Sequence, residues 1–100
     1  MALELFWTSQ ASISFERIGD YIFENFGIRA LTEFESQVES TLSNISNFPE
    51  MFRLIDGKML RKGRVSKHTL VLYRIHKAGI EVLLFVDQRQ DLSQSEVDED

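Results

Sequence analysis

A chain of 100 residues fits one domain, and folding at that size removes enough apolar surface from water to sustain one modest core. Hydrophobic residues at 43% against 27% charged are the balance of a water-soluble globular protein, and the lack of cysteine excludes disulfides, thiolate metal sites and cysteine nucleophiles. The net charge of -5 conceals a division: residues 1–50 carry two basic side chains against eight acidic, residues 51–90 nine against three, and the last ten add five acids.

Leu3, Leu5 and Trp7 alternate with Glu4 and Phe6, the period of a short strand. The same stretch lacks a basic leader region, and the longest apolar run, Val82 to Val86, is far shorter than the roughly 20 residues of a bilayer span. No targeting or membrane segment is therefore expected, and the cytoplasm is the expected compartment. Thr8 or Ser9 caps a first helix whose stripe is Ala11, Phe15, Ile18, Ile22 and Phe26, with Gly27 as its stop. Leu31, Phe34, Val38, Leu42 and Ile45 form the stripe of a second helix, closed by Pro49. The short link predicts an antiparallel helical hairpin that needs a further layer to bury both stripes.

That layer falls to the C-terminal half. Asp56-Gly57 predicts a tight turn within a short hairpin over residues 52–65, and residues 68–76 and 80–88 read as two long strands. The predicted fold is α+β, in the order β-α-α-β-β-β, with the helical hairpin on one face of a small, mainly antiparallel sheet. One domain is expected over residues 1–91, followed by an acidic disordered tail over 92–100.

Alternation puts Val71, Tyr73 and Ile75 on the core face of the first long strand. With Ala78-Gly79 as a two-residue loop, Ile75, Tyr73 and Val71 pair with Val82, Leu84 and Val86. The same register sends His68, Arg74, Asp87 and Arg89 to the outer face, around an apolar middle of Leu70, Leu72, Leu83 and Phe85. Either the 50–60 segment or a partner protein covers that middle, which makes these four residues candidate partner contacts. Arg61, Lys62, Arg64 and Lys67 are a candidate phosphate cradle; the competing reading is an edge strand guarded by charge. His68 is the candidate acid or base for cleaving RNA, against the plainer reading of a polar surface group. Two histidines eight residues apart give no zinc pattern, so neither metal nor cofactor is expected.

Ile18-Gly19-Asp20-Tyr21-Ile22 followed by Phe26-Gly27, the Phe48-Pro49 break, His68-Thr69-Leu70-Val71-Leu72-Tyr73-Arg74-Ile75 and the ending Asp87-Gln88-Arg89-Gln90-Asp91 together resemble the RelE/ParE toxin superfamily, in its ParE-like or unclassified branch. The resemblance covers nearly the whole chain up to Leu92. It implies the toxin of a type II toxin-antitoxin, or plasmid stabilisation, system, neutralised by a small cognate antitoxin for which Leu70, Leu72, Leu83 and Phe85 are the candidate contacts. In the ribonuclease branch it would imply phosphate stabilisation by Arg61, Arg64, Arg74 and Arg89, with His68 as acid or base, acting on messenger RNA at the ribosome. No Tyr follows Tyr73 and the only later His is His76, so the usual C-terminal catalytic ring is missing. That departure favours poisoning of DNA gyrase over ribosome-dependent cleavage; a non-toxic RNA-binding module is the third reading.

Overall fold

The computed structural model describes residues 2–89. The elements are β1 (Leu5–Trp7), α1 (Ser9–Phe26), α2 (Ile28–Asn47), β2 (Arg61–Arg64), β3 (Thr69–Ile75) and β4 (Ile80–Asp87). The expected order and α+β class therefore hold. The boundary at 91 and the acidic tail over 92–100 lie outside the described residues.

Each helix end has a local cause. Thr8 caps α1, its hydroxyl accepting from the Ala11 amide at 3.0 Å. Gly27, at φ 89, ends α1 and starts α2 in one residue, a backbone conformation that costs glycine least. The expected stripes largely face inward: Ala11, Ile18 and Ile22 from α1, and Phe34, Val38, Leu42 and Ile45 from α2, are buried, Phe15 and Leu31 are partly buried against them, and Phe26, at the end of α1, is instead exposed.

The sheet runs β1-β4-β3-β2, with β1 parallel to β4 and the other neighbours antiparallel. β3 is placed as expected, with Val71 and Tyr73 fully buried. The β3–β4 register is not. His76 and Gly79 exchange backbone hydrogen bonds, so Lys77-Ala78 is the loop and Ile75 pairs with Ile80. Farther along, Tyr73 pairs with Val82 but Leu72 with Leu84, leaving Leu83 as the extra residue of a β-bulge. The bulge reverses which side chains face the helices. Phe85 and Asp87, expected outside, are buried, whereas Leu84 and Val86, expected in the core, are half-buried on the opposite face.

Backbone groups displaced by the bulge find partners on α1. The Leu83 carbonyl accepts from the Thr8 hydroxyl at 2.9 Å, and the Phe85 amide donates to Ser14 Oγ at 3.0 Å. The first turns of α1 thus take over the edge of β4 where β1 stops, satisfying groups that could not be left unpaired away from water.

The 48–60 segment lies at the β2 edge. Leu54 bridges Arg61, the Arg53 carbonyl accepts from the Lys62 amide, and Phe52 packs over Gly63 against the core. It therefore closes the helix-side core and is not a cover for the outer face.

At the other end, the Ile80 amide donates to the Glu4 carbonyl at 2.8 Å, and a Cβ added to Gly79 would lie 2.4 Å from that oxygen. Gly79 also sits at φ 152. Gly79→Ala is expected to pry β1 from β4 and lower stability by roughly 1–3 kcal/mol, read as a lower midpoint in urea denaturation.

Candidate functional site

The four side chains considered for catalysis do not converge. Arg61 pairs with Tyr73 across β2 and β3, and its Nη1 donates to the Phe52 carbonyl at 2.7 Å. Arg74 is near the far end of β3, six residues from His68 and so about 20 Å along the strand. There its guanidinium donates to Glu81 Oε1 at 2.7 and 3.2 Å, and His76 Nε2 lies 2.9 Å from the same oxygen. His76 first and Arg74 second hold the Glu81 carboxyl below the usual carboxylate range.

His68 and Arg89 border the same hollow, at the opposite end of the sheet. They line a cavity of about 320 Å³ with Lys67, Thr69, Glu33 and Gln37, roofed by Phe26 and Phe34. Asp87 fixes Arg89 there. Its carboxylate, with no exposed side-chain surface, accepts from Arg89 Nη2 at 2.8 Å and Nε at 3.1 Å, and from the Thr69 hydroxyl at 3.4 Å. The Arg89 guanidinium also lies 5.5 Å from the Tyr21 ring centre and 5.2 Å from that of Phe26, within cation–π range. The Asp87 hydrogen bond raises the Arg89 pKa further above its ordinary value, with burial opposing it. The guanidinium is thus a permanent structural cation.

The expected phosphate cradle is divided in the same way. Lys62 and Arg64 are exposed on the outer face of β2, opposite Leu72 and Leu70. Arg64 closes the following turn by donating to the Ser66 and Lys67 carbonyls at 3.3 and 3.2 Å, and Lys67 faces the His68 cavity. Only Lys62 and Arg64 share a surface. That surface continues into the half-buried Leu70, Leu72, Leu84 and Val86, with Leu83 half-buried at the bulge. Phe85, considered as a fourth contact on this face, is instead in the core because the bulge turns it inward.

Sequence reasoning placed Asp87 and Arg89 on the outer face and missed their pairing, because the bulge that turns Asp87 inward has no local signal. β4 ends at Asp87, and the chain turns there so that Asp87 Oδ1 accepts from the Arg89 amide at 2.8 Å, which brings the guanidinium back onto the same carboxylate. Tyr73 cannot serve as a base at neutral pH, since burial pushes its hydroxyl up and it donates to the Pro49 carbonyl at 2.8 Å. Among the described residues no group of three or more His, Asp or Glu is arranged to hold a metal ion, and no helix is long and apolar enough to cross a membrane.

Residues 5–92 match the family model described as the ParE toxin of the type II toxin-antitoxin system parDE. No curated protein matches the sequence. Among solved structures, a chain of the chromosomal ParDE toxin-antitoxin system from Pseudomonas aeruginosa superposes with a TM-score of 0.74 at 13% identity, covering 86% of this chain and 96% of that one. A chain of the DinJ-YafQ toxin-antitoxin complex from Escherichia coli gives 0.62 at 8% identity, covering 90% and 97%. A conserved hypothetical protein from Helicobacter pylori gives 0.56 at 14%, covering 87% and 96%. At these identities the three structures share the fold.

Two predictions follow from the ionic geometry. Arg89→Ala strands the Asp87 carboxylate in the interior and is expected to cost about 3 kcal/mol or more, with much of the loss recovered when Asp87→Asn is added, as measured by urea denaturation. Because the Glu81 carboxyl is depressed, its contribution is present above the unfolded carboxylate pKa and is lost as pH falls through the folded value. Glu81→Gln is therefore expected to flatten that part of the acid limb of a stability-pH curve while leaving its slope above pH 8 unchanged.

Proposed function

The chain belongs to the ParE toxin family and is the toxin of a type II toxin-antitoxin system; from that premise we propose that it arrests growth in the cytoplasm by binding and poisoning DNA gyrase, not by cutting RNA. The observation that carries this reading is the scatter of its cations. Cleavage of a phosphodiester needs preorganised positive groups and an acid or base around one phosphate. Here Arg61, Arg74 and Arg89 are bonded to Phe52, Glu81 and Asp87 at separate places in the fold. A binding toxin needs only a surface.

The surface that fits is the outer face of the sheet, where exposed Lys62 and Arg64 flank the strip of Leu70, Leu72, Leu84 and Val86. We assign the basic edge to the gyrase–DNA target and the apolar strip to the cognate antitoxin, with Leu84 and Val86 in the place first given to Phe85. An antitoxin lying on that strip would mask the adjacent Lys62 and Arg64, linking neutralisation to the same face. The feature that favours ribosome-dependent cleavage is the cavity lined by Lys67, His68 and Arg89, although Asp87 already engages Arg89 there.

Controlled expression in growing bacteria separates these readings. Gyrase poisoning predicts arrest with intact messages, loss of plasmid supercoiling and gyrase-linked DNA breaks. Lys62→Glu with Arg64→Glu, both exposed, should relieve arrest by about tenfold or more in viable count, whereas His68→Ala should not. Cuts within translated codons that disappear in His68→Ala would establish the nuclease, and normal growth on expression of the unaltered chain would remove toxicity.

A further inference from the structure

The turn that projects from the β2 edge carries apolar and basic side chains that the core does not use. Leu54 bridges Arg61, the Ile55 amide donates to the Leu60 carbonyl at 2.7 Å and the Lys62 amide to that of Arg53, so residues 53–62 form a short hairpin. Its loop is Asp56-Gly57-Lys58-Met59, closed by the Lys58 amide donating to the Ile55 carbonyl at 3.0 Å with Gly57 at φ 72. The base is anchored. Phe52 packs over Gly63, and the Tyr73 hydroxyl donates to the Pro49 carbonyl. Met59 sits at the tip with 76% of its surface exposed, the highest value of any large apolar residue described. A fixed hairpin that holds an unbranched thioether side chain in water presents a wedge, and little further ordering is needed when something takes it up.

Cations surround that tip. Over residues 50–64 five basic side chains stand against two acids, Glu50 and Asp56. In the hairpin register Arg53 lies across from Lys62, so the two share a face, the one on which Arg64 follows Lys62 by two residues. Arg53, Lys58, Lys62 and Arg64 are all exposed, and none forms an ion pair among the described residues. Met59 and Arg64 are five residues apart, about 17 Å of extended chain, or half the roughly 34 Å of one DNA turn. An apolar tip with cations at that reach is the pattern by which proteins part a base step and hold the phosphates beside it. A tip made only for a protein pocket would have no use for four unpaired cations, and a purely ionic DNA contact would have none for Met59.

We propose that Met59 is a wedge that enters a base step of duplex DNA from the minor groove, with Arg53, Lys58, Lys62 and Arg64 gripping the adjacent phosphates, so that the protein kinks the DNA it meets. The site deepens the assignment of the Lys62–Arg64 edge to the gyrase–DNA target and rests on it. A wedge favours steps that unstack easily, pyrimidine–purine steps and mismatches above all. It gives the protein a preference among DNA sites without a hydrogen bond to any base.

The test uses two duplexes of about 20 base pairs, or two helical turns, alike except for one central mismatch and each labelled at both ends for energy transfer. The full chain should bind the mismatched duplex about tenfold or more tighter and draw its ends together. Met59→Ala should bind both duplexes equally and leave them straight, Met59→Leu should retain the preference, and Lys62→Glu with Arg64→Glu should weaken binding to both. Equal binding of the two duplexes by the unaltered chain, binding to neither, or an unchanged preference in Met59→Ala overturns the proposal. Supercoiling by purified gyrase, read with the same proteins, separates that result from the fate of the gyrase reading. Met59-dependent kinking by a chain that leaves gyrase active keeps the wedge and removes gyrase as the target. Gyrase poisoned equally by the unaltered chain and by Met59→Ala, without kinking, keeps gyrase and removes the wedge. Loss of poisoning in Met59→Ala with no kinking by the unaltered chain makes Met59 a protein contact and likewise overturns the proposal.

Discussion

The extra residue at Leu83 governs both surfaces of this molecule. A bulge at that point turns the last part of β4 over, so that Phe85 joins Trp7, Phe15 and Phe34 in one aromatic cluster and Asp87 enters the interior. The first event completes the aromatic packing between α1 and the sheet. The second obliges a cation to follow, and Arg89 supplies it from a position bracketed by Tyr21 and Phe26. Without the bulge Phe85 and Asp87 would lie on the outer face, and Leu84 and Val86 would take their places against α1. The irregularity is tolerable because Thr8 and Ser14 satisfy the backbone groups of Leu83 and Phe85.

Much of this fold was legible in the sequence, for reasons that identify what was not. The helical stripes, the Thr8 cap and the Gly27 break are local signals, and Val71 and Tyr73 follow from alternation within one strand. Register depends on two strands at once. Ala78-Gly79 and Lys77-Ala78 are both acceptable two-residue loops, and moving from one to the other shifts each strand by one residue, which leaves the same parity in β4. Ile80 and Val82 stay inward under either choice. The bulge has no such signature, because Leu83 and Leu84 are the same residue type and either could be the extra one. The errors of face on β4 descend from that point: Phe85 as an outer contact, Leu84 and Val86 as core, and Asp87 as a surface charge.

The arginines show why residue type and strand position are weak guides to catalysis. Arg61, Arg74 and Arg89 were candidates because a planar guanidinium suits phosphate. The property that suits it to phosphate also suits it to a carbonyl or a carboxylate, and each of the three is so engaged within the chain. Loss of function on removing Arg89 would therefore report first on the buried Asp87. Lys62 stands apart: it is exposed on the outer face and forms no ion pair among the described residues, so its removal bears on recognition more than on folding.

The division of charge along the chain becomes a division in space. The helical hairpin carries the acids and the sheet carries the bases, and the molecule measures 40 × 33 × 23 Å. Even the shortest dimension exceeds the Debye length of about 8 Å at physiological salt, so each face presents its own field with little cancellation by the other. A net charge of -5 therefore does not predict which ligands the protein attracts. The Lys62–Arg64 edge of the sheet and the exposed carboxylates of the helical hairpin attract ligands of opposite sign.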